Sequence, residues 1–179
     1  MTPRLRKFAL TMHVIASVGW LGAVAAFLPL AIVSLVSQEA PTVRAAALAM
    51  GLITTFVIVP LCLASLLSGV ISSLGTEWGL FRYYWLIVKL LATGVSTIIL
   101  LVHTQPIALL EHAAATTAVL DAGLQPLQLQ MAAASAVALI VLIVLTALSV
   151  YKPRGLTPYG WRKLRAQRAA SPAGDATRS

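Results

Sequence analysis

The segment YYWLIVKLLATGVSTIILLVH, residues 83–103, decides how this chain is interpreted. It is about as long as the roughly 20 apolar residues that cross a bilayer as one helix. At helical spacing, one of its faces carries a stripe with steps of four, three, four and three: Lys89, Thr93, Ser96, Leu100 and His103. Ionisable side chains inside a membrane are costly, so they usually face a partner, a cavity or a site. The stripe is therefore the first candidate functional feature.

The composition extends this interpretation to the whole chain. Of its 179 residues, 59% are hydrophobic and 10% are charged, whereas a soluble domain has about 25% charged residues. The single cysteine, Cys62, excludes an internal disulfide. These values predict an integral membrane protein with room for one helical bundle.

Four apolar stretches predict an all-α, four-helix transmembrane bundle. The predicted spans cover residues 8–36, 45–74, 83–103 and 127–151, within a membrane domain of residues 1–152. The alanine-rich connection between spans three and four predicts a short external helix that lies on the membrane surface. Residues 153–179 form a basic tail, partly disordered, that can touch anionic lipid.

The net charge of +8 is concentrated at the two ends of the chain. Basic residues precede span one and follow span four, while the long connection after span three contains none. Because positive charge favours the cytoplasmic side, both termini are predicted to be cytoplasmic. We expect a multi-pass protein of the bacterial inner membrane, with the lipid bilayer as its surroundings and no nucleic-acid partner.

This topology sets the depth of three titratable side chains. His13 in span one and Lys89 in span three lie at a similar level near the cytoplasmic side. His103 follows Lys89 by 14 residues, which is about 21 Å along a helix. His13 and His103 therefore cannot ligate the same metal ion. Each remains a candidate metal ligand by itself.

His13 and Lys89 form the sharpest candidate site if spans one and three are neighbours. A neutral imidazole can bind haem iron, and a lysine can pair with a haem propionate or another anion. Trp20, on the His13 face, and Tyr84, near the interface, complete the candidate cofactor-binding residues. Two structural alternatives remain open: Lys89 extends toward the headgroups, and His13 hydrogen-bonds a neighbouring helix.

A second arrangement is open at the outer edge of the bundle. Met131 and Gln130, near the start of span four, are placed to approach His103. A His–Met pair suits haem or copper. Packing is the competing interpretation of Met131.

Two motifs carry a resemblance to known families. They are His13-Val-Ile-Ala-Ser-Val-Gly-Trp-Leu-Gly22 and Tyr84-Trp-Leu-Ile-Val-Lys89-Leu-Leu, with His103 at the end of the same span. This pattern resembles the copper-resistance D family and the four-helix membrane protoporphyrinogen oxidase of haem synthesis. The resemblance implies a b-type haem with His13 as its ligand and Lys89 as an essential partner. Spans two and four contain no histidine, which departs from a dihaem pattern.

The whole chain, including the exit from span four at Ser149-Val-Tyr-Lys-Pro-Arg-Gly155, is more similar to a family of uncharacterised bacterial four-helix membrane proteins. That resemblance implies no activity. Three hypotheses therefore remain: a b-type haem redox protein with its site near the cytoplasmic leaflet, a non-enzymatic scaffold or lipid- or partner-binding protein, and a copper or ion transport protein. Enzymatic activity, a membrane redox partner and homo-oligomer formation are left open.

Overall fold

A computed structural model describes residues 2–74, 84–116 and 122–151, together with residues 161, 162 and 165. All regular elements in these ranges are helical. They are α1 (Pro3–Val36), α2 (Ala40–Ile53), a π-helical turn (Thr54–Ile58), α3 (Val59–Leu74), α4 (Tyr84–Thr116), a 3-10 turn (Ala122–Leu124) and α5 (Gln125–Tyr151). The predicted all-α architecture is confirmed for the described residues.

Four helical segments are long and apolar enough to cross a membrane, as a multi-pass membrane protein requires. They are Arg4–Val36, Ala40–Ser72, Ile87–Ala115 and Gln125–Tyr151. Large apolar side chains cover the outside of the bundle; Phe56, for example, is 72% exposed. A surface of this kind suits lipid, because hydrocarbon solvates such side chains as well as a protein core does.

Helix α4 differs most from the sequence prediction, since residues 104–116 continue span three instead of forming a separate helix on the membrane surface. Alanine-rich sequence favours helix continuation. Ile107, Leu110 and Ala114, spaced by three and four residues, are buried, and α4 packs against α2. The periodicity thus reflects contact with another helix. Tyr83, the first residue of predicted span three, and most of the basic tail lie outside the described residues.

The second span contains a π-helical turn just before Pro60. In this turn the Val59 backbone N–H donates to the Thr54 carbonyl, five residues earlier. Proline has no backbone N–H and its ring clashes with the preceding turn of an α-helix, so a wider turn accommodates it. The Thr54 hydroxyl donates to the Met50 carbonyl at 2.8 Å. Because π-helical turns often occur at functional sites, this one marks a region of interest.

The helices are arranged with α1 and α4 on opposite sides of the bundle. Helix α1 packs mainly against α2, α3 and α5, and α4 packs against the same three helices. We call the near end the end where His13, Ser65, Lys89 and Ser149 meet, and the far end the one where Gln128 donates to Ser34 at 3.2 Å. The buried core between them includes Trp20, Phe27, Met50, Cys62 and Met131.

Gly69 allows α1 and α3 to approach closely, which generates a stability prediction. An added Cβ at Gly69 would lie 3.0 Å from the His13 ring, whereas one at Gly22 would meet no heavy atom within 4 Å. Gly22→Ala should leave stability unchanged or raise it by about 0.5–1 kcal/mol. Gly69→Ala should lower it by about 1 kcal/mol, because the pinned ring must move. Thermal unfolding in detergent measures both; equal midpoints for the two variants would contradict this packing.

Candidate functional site

At the near end, polar side chains from all four spans form one hydrogen-bonded cluster. The His13 Nδ1 atom lies 3.0 Å from the Ser65 carbonyl oxygen. The Lys89 Nζ atom lies 3.4 Å from His13 Nε2 and donates to the Ser149 hydroxyl at 2.7 Å. We call these residues the near-end cluster: His13 of α1, Ser65 of α3, Lys89 of α4 and Ser149 of α5.

The geometry fixes which nitrogen of His13 carries the proton. A carbonyl oxygen only accepts, so Nδ1–H donates to Ser65. The lone pair on Nε2 then accepts from the Lys89 ammonium. At 3.4 Å this contact is longer than the usual range of about 2.7–3.2 Å. The bond to Ser149 is the stronger of the two that Lys89 forms with side chains.

Small and hydroxyl residues on α3 allow His13 to reach this position. Ser65, Ser68 and Gly69 follow one face of the helix, and the Ser68 hydroxyl lies 3.2 Å from His13 Nδ1. One turn further along α1, the Ser17 hydroxyl lies 2.8 Å from that of Ser65. Small residues at helix interfaces permit close approach in membranes, and hydroxyl groups bond across the contact.

Lys89 meets His13 although their helices lie diagonally in the bundle. The long lysine side chain reaches through the middle, where it finds both His13 and Ser149. The condition set by the sequence, that the two spans be direct neighbours, is therefore unnecessary. Lys89 points at protein partners, which argues against a side chain that only extends toward the lipid headgroups.

The near-end cluster does not fit a haem on His13 as it is arranged. Iron bound to Nε2 would lie on the side that the Lys89 ammonium occupies at 3.4 Å. Propionates lie at the rim of a haem, away from the iron, so a lysine against Nε2 is not placed as a propionate partner. Gly69 also packs directly on the His13 ring. His13 has the position of a helix-linking residue.

A second feature, a cavity of about 400 Å³, lies further along the bundle. It opens between α4 and α5, and α1 and the π-helical turn form its remaining walls. Its lining includes Trp20, Phe27, Ile58, Leu100, His103 and Met131. This volume falls within the range of roughly 300–1,000 Å³ that small-molecule and cofactor sites occupy, and such sites are mostly apolar with a few polar groups.

His103 lines this cavity and has one ring nitrogen without a partner among the described residues. Its Nδ1 donates to the carbonyl of Ile99, one turn earlier, at 2.8 Å. The neutral ring therefore carries its lone pair on Nε2, and no described residue hydrogen-bonds that atom. Met131, which is 2% exposed, lines the same cavity. Met131 and His103 thus line one cavity, and their direct pairing stays a prediction.

Trp20 lines the cavity and has an indole N–H without a partner among the described residues. It is 4% exposed, and its indole Nε1 atom is buried with no hydrogen-bond partner among the described residues. A buried donor without an acceptor costs about 1–3 kcal/mol.

The remaining candidate residues from the sequence lie in different parts of the structure. Trp20 lines the cavity and does not belong to the near-end cluster, and Tyr84 is 53% exposed at the start of α4. Within the described ranges, no group of three His, Cys, Asp or Glu side chains is close enough to hold a metal ion. Sequence reasoning missed Ser149 and the cavity. Ser149 offered a weak signal, as a hydroxyl near the end of an apolar span.

Comparison of the chain with protein-family models, with curated proteins and with solved structures gives no match. The resemblance of the His13 and Lys89 motifs to the oxidase and copper-resistance families therefore stays a prediction. The functional interpretation depends on the geometry of the near-end cluster and of the cavity.

The two histidines should differ in their effect on stability. His13→Ala removes contacts that join α1 to α3 and α4, and should destabilise the protein by about 1–3 kcal/mol. His103→Ala removes a bond within its own helix only, and should cost at most about 0.5 kcal/mol. Thermal unfolding in the same detergent, without added ligand, compares the two. A larger loss for His103→Ala would contradict the assignment of His13 as the helix-linking histidine.

Proposed function

We propose that this chain is a redox protein of the bacterial cytoplasmic membrane that holds a b-type haem in the cavity between α4 and α5. The observation that carries the proposal is His103, whose Nε2 has no described protein partner while its ring lines an apolar cavity together with Met131. With both termini in the cytoplasm, as the basic residues favour, this site lies in the outer half of the membrane. The proposal therefore moves the haem away from His13 and the cytoplasmic leaflet.

The hydrogen bond of His103 suits a histidine that would bind a metal. A histidine that binds a metal usually donates its other ring N–H to a carbonyl or carboxylate, which fixes the tautomer and the ring orientation. The Ile99 carbonyl has this role for His103. His13 has an equivalent bond to Ser65, but its Nε2 atom is taken by Lys89.

The donor set favours haem over a metal held by side chains alone. A haem brings its own four nitrogen ligands and needs only one or two axial groups, such as His and Met. The described residues offer such a pair at the cavity but no group of three side-chain ligands. This set of donor side chains supports the haem hypothesis more than the hypothesis of copper or ion transport.

Each residue of the cavity then has a definite task. Bound haem supplies a one-electron redox couple. His103 would hold the group, and the Met131 thioether would supply a second donor to the iron, which would raise the reduction potential. Trp20 and the other apolar side chains of the lining would exclude water from the bound group.

A lipid-soluble ligand without iron is the second candidate occupant. The apolar lining favours it as much as it favours haem. This form of the proposal corresponds to a non-enzymatic lipid- or partner-binding protein. The two candidate ligands differ in one requirement: haem needs His103 as an iron ligand, and a ligand without iron does not.

The visible spectrum tests the haem proposal. The protein should be produced with ample haem supply, purified in mild detergent and recorded oxidised and reduced. We expect a Soret band in the wild type and in His13→Ala, and its loss in His103→Ala, because iron requires the free Nε2 of His103. Met131→Leu should retain haem but lower its reduction potential.

Gel filtration and thermal unfolding of each variant control for folding. A band that survives in His103→Ala and disappears in folded His13→Ala would assign the iron to His13 and overturn the cavity site. The absence of any band at full haem supply would overturn the haem proposal and leave the lipid-soluble ligand.

A further inference from the structure

Lys89 is a half-buried cation whose near-end surroundings contain no described carboxylate. The described acidic residues lie elsewhere: Glu39 precedes α2 at the opposite end, and Glu111 lies against Gly51 of α2. His13 and Ser149, the side-chain partners of Lys89, carry no negative charge. Charged groups inside membrane bundles are usually paired, because an isolated charge in a low-dielectric environment is costly. A bound anion beside Lys89 would therefore stabilise the near-end cluster.

Unused hydrogen-bond donors are present at the same end. An ammonium group has three N–H donors, and Lys89 uses one toward His13 and one toward Ser149. The hydroxyl oxygen of Ser72 is buried and has no partner among the described residues. Ser72 follows Ser65 and Ser68 at helical spacing, on the face of α3 that contacts His13, and lies one turn closer to the end of this helix at Leu74.

The haem proposed for the cavity cannot supply this anion. Lys89 and His103 are separated by 14 residues of the continuous helix α4, which is about 21 Å. A group bound at His103 is too far away for its carboxylates to reach the near-end cluster. The anion must therefore come from outside the described residues, so the inference is independent of the proposed function.

We propose that Lys89 and Ser72 form an oxyanion site for a phosphate group, either on the headgroup of a lipid in the adjoining leaflet or as free inorganic phosphate. The remaining Lys89 N–H and the Ser72 hydroxyl donate to the phosphate oxygens. Charge-assisted hydrogen bonds of this kind are stronger than neutral ones. His13 and Ser149 keep the lysine pointing inward, so they are positioning residues for the site.

Ligand-dependent thermal unfolding of the delipidated full chain tests this site. The probes are phosphatidylglycerol, diacylglycerol with the same acyl chains, and inorganic phosphate. Because a ligand that binds only the folded protein stabilises it, phosphatidylglycerol should raise the unfolding midpoint of the wild type by several degrees, and diacylglycerol should not. Lys89→Gln, which can still bond Ser149, should lose this increase, and Lys7→Gln, at an exposed position of α1, should keep it.

Two further variants keep the test decisive. If Lys89→Gln fails to fold, Ser72→Ala should still reduce the increase, because it removes a donor and little packing. Glu77→Gln, at a position outside the described residues, should retain the increase if phosphate rather than this carboxylate is the anion. An equal increase with inorganic phosphate alone would assign the site to free phosphate. A phosphatidylglycerol effect of the same size in Lys89→Gln and Ser72→Ala, or none in the wild type, would overturn the proposal.

Discussion

The contacts of Lys89 with His13 and Ser149, across the middle of the bundle, are the interaction on which the arrangement of the helices depends. In lipid, apolar side chains gain little by leaving the hydrocarbon for a helix interface, so packing of small residues and polar contacts set the register. Lys89 bridges the diagonal between α1 and α4 and also binds α5, while His13 holds α3 through the Ser65 carbonyl. One lysine and one histidine thereby connect all four spans.

The two ends of the bundle differ in how closely the helices pack. The near end is closed by hydrogen bonds, whereas α4 and α5 leave a cavity of about 400 Å³ between them toward the far end. Two histidines with similar backbone hydrogen bonds thus have different surroundings. His13 Nε2 faces an ammonium group, and His103 Nε2 has no described partner. The chemistry available to an imidazole depends on this second nitrogen.

Much of the architecture could be predicted from the sequence, because hydropathy and length alone define the four spans. The common level of His13 and Lys89 also followed from topology. The diagonal placement of α1 and α4 did not, since periodicity fixes a face on each helix but not which helix it meets. The continuation of α4 through Pro106 to Thr116 was not predicted. An alanine-rich segment with apolar residues on one face has the same sequence pattern whether it extends a span or lies on the membrane surface. The cavity arises from the packing of α4 and α5, which no local pattern encodes.

His13 links the helices of the bundle, and we propose that His103 is the histidine that binds a ligand. Nitrogen-15 NMR of protein labelled only in its three histidines, recorded before and after haem is added, tests it without any substitution. We expect the His13 resonances to report a proton on Nδ1 and to stay in place on haem addition, while those of His103 shift or broaden through contact with iron. Loss of the His13 signals with an unchanged His103 would contradict it.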